Sequence, residues 1–344
     1  MIYRFLIAAL ALATLSAPVS PTFAQTQARD GIAFNVYLEQ LKSRARSEGV
    51  SEATIRRMTV GLTPNDRVIR LDRGQPGSPT RRGYPALAPY IATHVNSVRI
   101  RGGRNVFQND RSALRAAEAE YGVPGQIIVA IFGHETSYGR IRGNFDLSRS
   151  LATLAWEGRR RELFSNEFIA LMKVADKGYS RNQLVGSYAG AFGNPQFLPS
   201  VYLRLAADGD GDGRANIFSN RSDTFASIAN YFRDAGWRTG QPWGVRANVP
   251  AGFNVDAYRN KLKAQVCPRV HERHSQWKTV REWRDLGVRA QRALPDDTLV
   301  SLFQPDGPGR PAWLLTGNYR VILEYNCSNY YAMSVGLLAD EIVN

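Results

Sequence analysis

Residues 125–139, GQIIVAIFGHETSYG, end an almost wholly apolar run with an imidazole and a carboxylate side by side. Ile128, Ile131 and Glu135 fall at spacings of three and four residues, so on a helix they share one face. The chain must therefore carry Glu135 toward the region where its apolar residues collect. A carboxylate placed there loses solvation, which favours its protonated form and raises its pKa, as a general acid requires near neutral pH. A structural pairing with one of the many arginines is the competing reading. His134 lies about 100° further round the helix, off that face, and reads as a packing residue.

With 344 residues, 44% hydrophobic and 22% charged, the chain is globular in composition and long enough for one large domain or two ordinary ones. Its first residues read differently. Arg4, the apolar stretch FLIAALALATL and the small-residue site Thr22-Phe23-Ala24 have the pattern of a secretory signal peptide over 1–24. The apolar stretch is short for a bilayer span, which disfavours an uncleaved anchor. No later segment is continuously apolar over a spanning length, so no transmembrane segment is expected after cleavage, and no cysteine adjoins the site for lipid attachment. Export would place Cys267 and Cys327 in an oxidising compartment, where they have a single possible intramolecular pairing. Such a bridge adds about 3–4 kcal/mol in the chain-entropy model; two buried free thiols are the alternative. The formal charge of +14 favours anionic partners: cell-wall polymer, lipid head groups or extracellular nucleic acid. Zinc-finger spacing and an aromatic RNA-binding signature are both missing, so nucleic acid is set aside. A basic, solvated surface accounts for the charge equally well.

Helical spacing of Phe34, Tyr37, Leu38 and Leu41, then of Ile55 and Met58, marks residues 33–62. Residues 74–86, rich in Gly, Pro and Arg, read as a surface loop. Helix resumes over 112–121, and Pro124 opens the next helix at its permissive first turn. Helices and short loops continue to about residue 236. Beyond GWRTGQPWG, the stretches TLVSLF, AWLLT and RVILEY read as strands, and YYAMSVGLLADEI returns to helix. The expected fold is α+β and mainly α, with a helical core at about 25–245 and 325–344 and a smaller α/β part at about 246–324.

The segments HETSYGRIRGNFDLSRSLATLAW, GSYAGAFGNPQFLPSVY and DGDGDGRANIF follow in order, with GLTPNDRVIRLDRGQP upstream and YNCSNYYAMSVGLLA downstream. Together they resemble the lytic murein transglycosylase B family over most of residues 25–344, most weakly at about 245–315. The resemblance implies a lysozyme-like helical core and a peptidoglycan lytic transglycosylase. Such an enzyme cleaves the β-1,4 bond between N-acetylmuramic acid and N-acetylglucosamine without water, leaving 1,6-anhydromuramic ends. It implies the catalytic acid/base role for Glu135. Sugar-contacting roles fall on Arg159 and Arg160, on Ser187 and Gln196 of GSYAGAFGNPQ, on Tyr231 of ANYF, and on Tyr325, Asn326 and Tyr331. Leu163 stands where some members have tyrosine, and Cys327 where another residue is common. The resemblance and the leader together imply a periplasmic location, with glycan strands and cell-wall remodelling proteins as partners.

Glycosidases ordinarily pair two carboxylates. Asp146, in GNFDLS, reads as a turn or helix cap, Glu157 stands beside three arginines, and neither matches a catalytic position of the family. One acid suffices if the muramoyl 6-hydroxyl itself closes on C1, because proximity then replaces the second residue. Gly186, Ala189, Gly190, Ala191 and Gly193 would admit a sugar close to the backbone, or serve tight packing.

DGDGDGRANIFS places Asp208, Asp210 and Asp212 at positions one, three and five of an EF-hand loop, Gly213 at six and the Arg214 carbonyl at seven. Ser219 replaces the glutamate at twelve, and Asp223 is placed to close a longer loop, as in the resembling family's calcium site. Three close carboxylates repel unless a cation binds, so structural calcium is expected; a solvated Asp/Gly turn is the alternative. Three rivals stand against the transglycosylase reading: a hydrolytic muramidase, a peptidoglycan-binding module without turnover, and a calcium-sensing interaction protein.

Overall fold

The helical spacing of residues 33–62 is realised as two helices, Phe34–Ser47 and Glu52–Thr59. The computed structural model describes residues 31–74 and 85–344; the leader read over 1–24 and most of the 74–86 loop lie outside them. The described residues divide into two units. One draws on residues 31–74, Gly143–Phe192 and Phe197–Leu203, the other on residues 85–142, Gly193–Gln196 and Arg204–Asn344. Among the described residues, no helix is long and apolar enough to cross a membrane.

The first unit is mainly helical. Phe34–Ser47 buries Tyr37, Leu38, Leu41 and Ala45 along one stripe, and the Tyr37 hydroxyl meets Ser165 Oγ at 2.9 Å on the helix Arg161–Asp176. Ser51 and Asn65 cap Glu52–Thr59 and Asp66–Arg73 by accepting from backbone N–H groups of the first turn. The helix Leu147–Glu157 starts where the Asp146 side chain accepts from Arg149 N, and stops at Gly158, whose left-handed φ of 91° suits glycine. It packs along Arg161–Asp176. A short antiparallel ribbon pairs Phe145–Asp146 with Val185–Gly186.

The second unit combines helices with a five-stranded antiparallel sheet. Its strands run in the order Trp277–Thr279, Leu299–Phe303, Ala312–Leu315, Gly244–Asn248, Arg289–Ala290. The register sets Leu314 between Leu302 and Val245. Since strand side chains alternate, Val245, Val300, Leu302 and Leu314 pack with Val280 and Trp283 on one face, whereas Phe303, Trp313 and Leu315 join the helical core on the other. Both faces are covered, so TLVSLF and AWLLT read as continuous apolar runs.

RVILEY is helical instead, within Gly317–Tyr325. Val321, Ile322 and Leu323 are all fully buried, and a short run buried on every side has no diagnostic period. Thr316 decides the matter, because its side chain accepts from Asn318 N and starts a helix there. Four helices pack against Gly125–Thr136: Ser97–Asn109, Arg111–Tyr121, Arg221–Asp234 and Asn329–Val343. As a result every residue from Ile127 to Thr136 is buried, and His134 is as enclosed as the face carrying Glu135. Pro124 is the N-cap of this helix, one position earlier than the first turn. Cys267 and Cys327 form a disulfide with Cα atoms 5.3 Å apart.

Leu314 is fully buried at the centre of the sheet. Leu314→Ala is expected to lower the unfolding free energy by about 2–5 kcal/mol, measured by denaturant titration.

Candidate active site

Glu135 is the penultimate residue of Gly125–Thr136, 8% exposed, and its Oε1 accepts a hydrogen bond from the Tyr331 hydroxyl at 2.7 Å. Tyr331 belongs to the first turn of Asn329–Val343, where its backbone N–H is held by the side chain of the N-cap Ser328. The preceding residue, Cys327, is tied by its disulfide to Cys267. The donor to the carboxylate is thus fixed through its own backbone.

The chain leaves the helix abruptly after Glu135. Ser137, Tyr138 and Gly139 take φ of 51°, 62° and 85°, three successive left-handed residues of which two are not glycine. Such backbone costs about 1–3 kcal/mol at each non-glycine position and persists only where its surroundings impose it. Here Tyr138 supplies the constraint. Its ring occupies a slot lined by glycines: a Cβ on Gly133 or on Gly102 would lie 2.6 Å from a ring carbon. Its hydroxyl donates to the Arg99 carbonyl at 2.6 Å, and burial pushes that phenol up to about 12. The Thr136 hydroxyl bridges from this turn to the next loop, accepting from Gly139 N at 3.0 Å and donating to the Asn194 carbonyl at 3.2 Å.

That loop carries Gln196, itself at φ 53°, with Nε2 donating to the Gly193 carbonyl at 2.9 Å. Tyr325 donates to the Pro195 carbonyl at 2.6 Å and lies 4.7 Å from the Tyr231 ring, centroid to centroid. Tyr231 in turn donates to the Glu324 carbonyl at 2.9 Å. Burial holds the Tyr325 phenol well above its ordinary range, with the Glu135 charge acting in the same sense, and burial lifts Tyr231 to about 12. Both phenols therefore stay protonated as donors. Asn326 ends Gly317–Tyr325 as its C-cap. One unit thus collects Glu135, Gln196, Tyr231, Tyr325, Asn326 and Tyr331.

Arg159, Arg160 and Ser187 belong to the other unit. The two guanidinium groups converge on the buried Asp72 carboxylate, from Arg159 Nε at 2.6 Å and Arg160 Nη2 at 2.5 Å. Burial opposes that charge, yet the two arginines hold Asp72 below its ordinary range. Their side chains remain 31% and 28% exposed. Ser187 Oγ accepts from Ala191 N at 2.9 Å. The glycines of this stretch answer to packing: a Cβ on Gly186 would lie 2.2 Å from the Ala191 carbonyl oxygen, and one on Gly190 2.6 Å from Leu151. Asp146 is a helix cap bridged by Arg181, and Glu157 is buried against Arg73 and Arg159 N, so both acids serve structure where they stand.

Asp208, Asp210 and Asp212 are exposed, and one oxygen of each lies within 4.8 Å of the others. Gly213 provides the left-handed turn at φ 87°. Asp223 is fully buried and accepts from Gly209 N at 2.8 Å and Asn216 N at 2.6 Å, bracing both ends of the loop. Burial raises its pKa, opposed by those two N–H groups. The donor set is all oxygen, suited to a hard cation.

The transglycosylase SLT domain model matches residues 33–340. The chain belongs to this family. It is 32% identical over 286 residues to the membrane-bound lytic murein transglycosylase B of Escherichia coli K12, covering 80% of this chain and 74% of that one. SltB3 from Pseudomonas aeruginosa, solved in complex with NAG-anhNAM-pentapeptide, superposes with a TM-score of 0.81 at 33% identity, over 91% of this chain and 80% of that one. Escherichia coli Slt35, solved in complex with calcium, gives 0.75 at 28% identity, over 95% and 98% of the two chains. These likenesses bear out the α+β, lysozyme-like fold expected from the sequence.

Sequence reasoning missed Arg99, whose guanidinium Nη1 lies 2.7 Å from His134 Nδ1. No spacing signal joins residues so far apart in the chain. Gly133→Ala places its Cβ against the Tyr138 ring. The substitution is expected to cost about 1–3 kcal/mol and to lower kcat, measured by thermal unfolding and by release of muropeptides from purified cell walls.

Proposed function

We propose that this lytic transglycosylase of murein works through one carboxylate, Glu135. The observation that carries the reading is a buried acid at a helix end whose Oε1 is held by a tyrosine hydroxyl at 2.7 Å. In the protonated state Glu135 gives its proton to the oxygen linking N-acetylmuramic acid to N-acetylglucosamine as the C1–O4 bond breaks. The resulting carboxylate then takes the proton of the muramoyl 6-hydroxyl as O6 bonds to C1. The proton returns to Glu135, no water is consumed, and the product is a 1,6-anhydromuramic end. Intramolecular attack supplies the proximity that a second carboxylate would otherwise provide. Gln196, Tyr231, Tyr325, Asn326 and Tyr331, with Ser187, Arg159 and Arg160, are assigned to sugar binding.

Glu135→Gln is expected to lose about 10²–10⁴-fold in turnover while still binding insoluble peptidoglycan. Wild-type products should be one water lighter than hydrolytic ones by mass. Reducing muramic ends alone would make the enzyme a muramidase, and full activity in Glu135→Gln would move the acid elsewhere.

We further propose that the Asp208–Asp212 loop holds structural calcium. The carboxylates of Asp208, Asp210 and Asp212 and the Arg214 carbonyl would supply oxygens, and Asp223 would close the loop. Bound calcium would relieve carboxylate repulsion and stiffen the loop. Calcium at about 100 times its Kd should stabilise the fold by about 2.7 kcal/mol. A chelator should reverse the rise in Tm, and Asp210→Asn should abolish it; a Tm indifferent to calcium counts against the site. The leader over 1–24 and the family together favour a periplasmic enzyme acting on glycan strands, alongside cell-wall remodelling proteins.

A further inference from the structure

The chemistry assigned above makes no use of Arg99 or His134, yet they adjoin it. Arg99 stands in the first turn of Ser97–Asn109, where Asn96 caps the helix by accepting from Arg99 N at 2.9 Å. From that fixed backbone it reaches residues on both sides of Glu135 in the chain. Its carbonyl accepts from the Tyr138 hydroxyl at 2.6 Å, and its guanidinium meets His134 Nδ1 at 2.7 Å.

A guanidinium carries donors and no acceptor. Nδ1 of His134 therefore accepts, and holds no proton while Arg99 is in place. Protonating that nitrogen would set N–H against N–H beside a permanent cation. Among the described residues, ionisable and aromatic groups from several helices face the imidazole. His94 comes from Leu87–His94 at 6.2 Å between ring centroids, and is itself stacked on Tyr90. Arg99 comes from Ser97–Asn109, and Tyr331 from Asn329–Val343 at 5.6 Å between centroids. Glu135 is the neighbour on its own helix. The Tyr331 ring thus packs on His134 while its hydroxyl holds Glu135. A charge appearing on the imidazole would favour the carboxylate form of Glu135 and withdraw the proton that bond cleavage needs.

We propose that Arg99 is a positioning residue that keeps His134 a neutral acceptor and so keeps Glu135 able to hold its proton as the medium acidifies. The proposal rests on the reading of Glu135 as the acid. The Arg99 charge is constant over the working pH range, whereas an unguarded imidazole would titrate within it.

Arg99→Met is expected to lower kcat about tenfold or more with KM changed less than about twofold. Its activity relative to wild type should fall further as pH drops through about 6.5, the ordinary histidine range. Arg99→Lys retains a donor and should flatten that ratio. Arg99→Met combined with His134→Phe keeps a ring on Tyr331 but removes the titration, so the constant loss should remain and the pH-dependent loss vanish. An Arg99→Met profile parallel to wild type overturns the proposal. Should Arg99→Met fail to fold, NMR titration of His134 in the wild type decides: a ring neutral down to about pH 5 supports it, and one titrating near 6.5 overturns it. Glu135→Gln measured alongside separates the two readings. Turnover by that variant defeats the assignment of the acid. An inactive Glu135→Gln beside a parallel Arg99→Met profile defeats this inference alone.

Discussion

The hydrogen bond from Tyr331 to Glu135 sets the terms for the surrounding structure. A carboxylate enclosed at 8% exposure is costly in either protonation state unless its oxygens have partners. The C-terminal helix must therefore arrive with its first turn over the end of Gly125–Thr136. Several features of the sequence serve that placement. Ser328 caps the helix on Tyr331 N, the Cys267–Cys327 bridge anchors the residue before the cap, and Asn329 binds the fully buried His274 at 2.7 Å. Burial depresses His274 to about 3, so this contact keeps one protonation state across the physiological range.

The arginine excess reads differently once its partners are known. Arg73, Arg159 and Arg160 neutralise the buried Asp72 and Glu157, and Arg181 bridges Asp146. Four arginines are thus committed to three carboxylates inside the first unit, and these nearly neutral clusters leave most of the +14 excess on the other basic residues. Asp146 and Glu157, the nearest sequence candidates for a second catalytic carboxylate, are committed in the same ion pairs. A mechanism with one acid is consistent with that use of the others.

Elements with a clear period were legible in the chain. Tyr37, Leu38 and Leu41 and the face of Ile128, Ile131 and Glu135 lie where their spacing put them, and the strands TLVSLF and AWLLT were legible as short apolar stretches in a Pro- and Gly-rich region. RVILEY was not, because burial on every side removes the alternation that separates strand from helix, and a threonine cap makes the choice. His134, read as a packing residue off the Glu135 face, is buried as well, because with helices packed around Gly125–Thr136 every residue from Ile127 onward is enclosed. The family motifs pointed to Glu135 and to Tyr231, Tyr325 and Tyr331, which the structure gathers in one unit. Arg99 could not be found this way, since its bond to His134 spans 35 residues and depends on two helices meeting.

The strained turn after Glu135 becomes intelligible alongside the chemistry proposed for that residue. Two non-glycine residues in the left-handed region cost about 1–3 kcal/mol each, and the glycine-lined slot for Tyr138 imposes them. A general acid that acts once tolerates some freedom. An acid that must give a proton to one oxygen and recover it from another, with no second carboxylate to correct its aim, tolerates much less. Tyr138 fixes the backbone after Glu135, Tyr331 fixes one of its oxygens, and Thr136 ties the same turn to the loop bearing Gln196. Both proton transfers must pass through the small volume that this one carboxylate can reach.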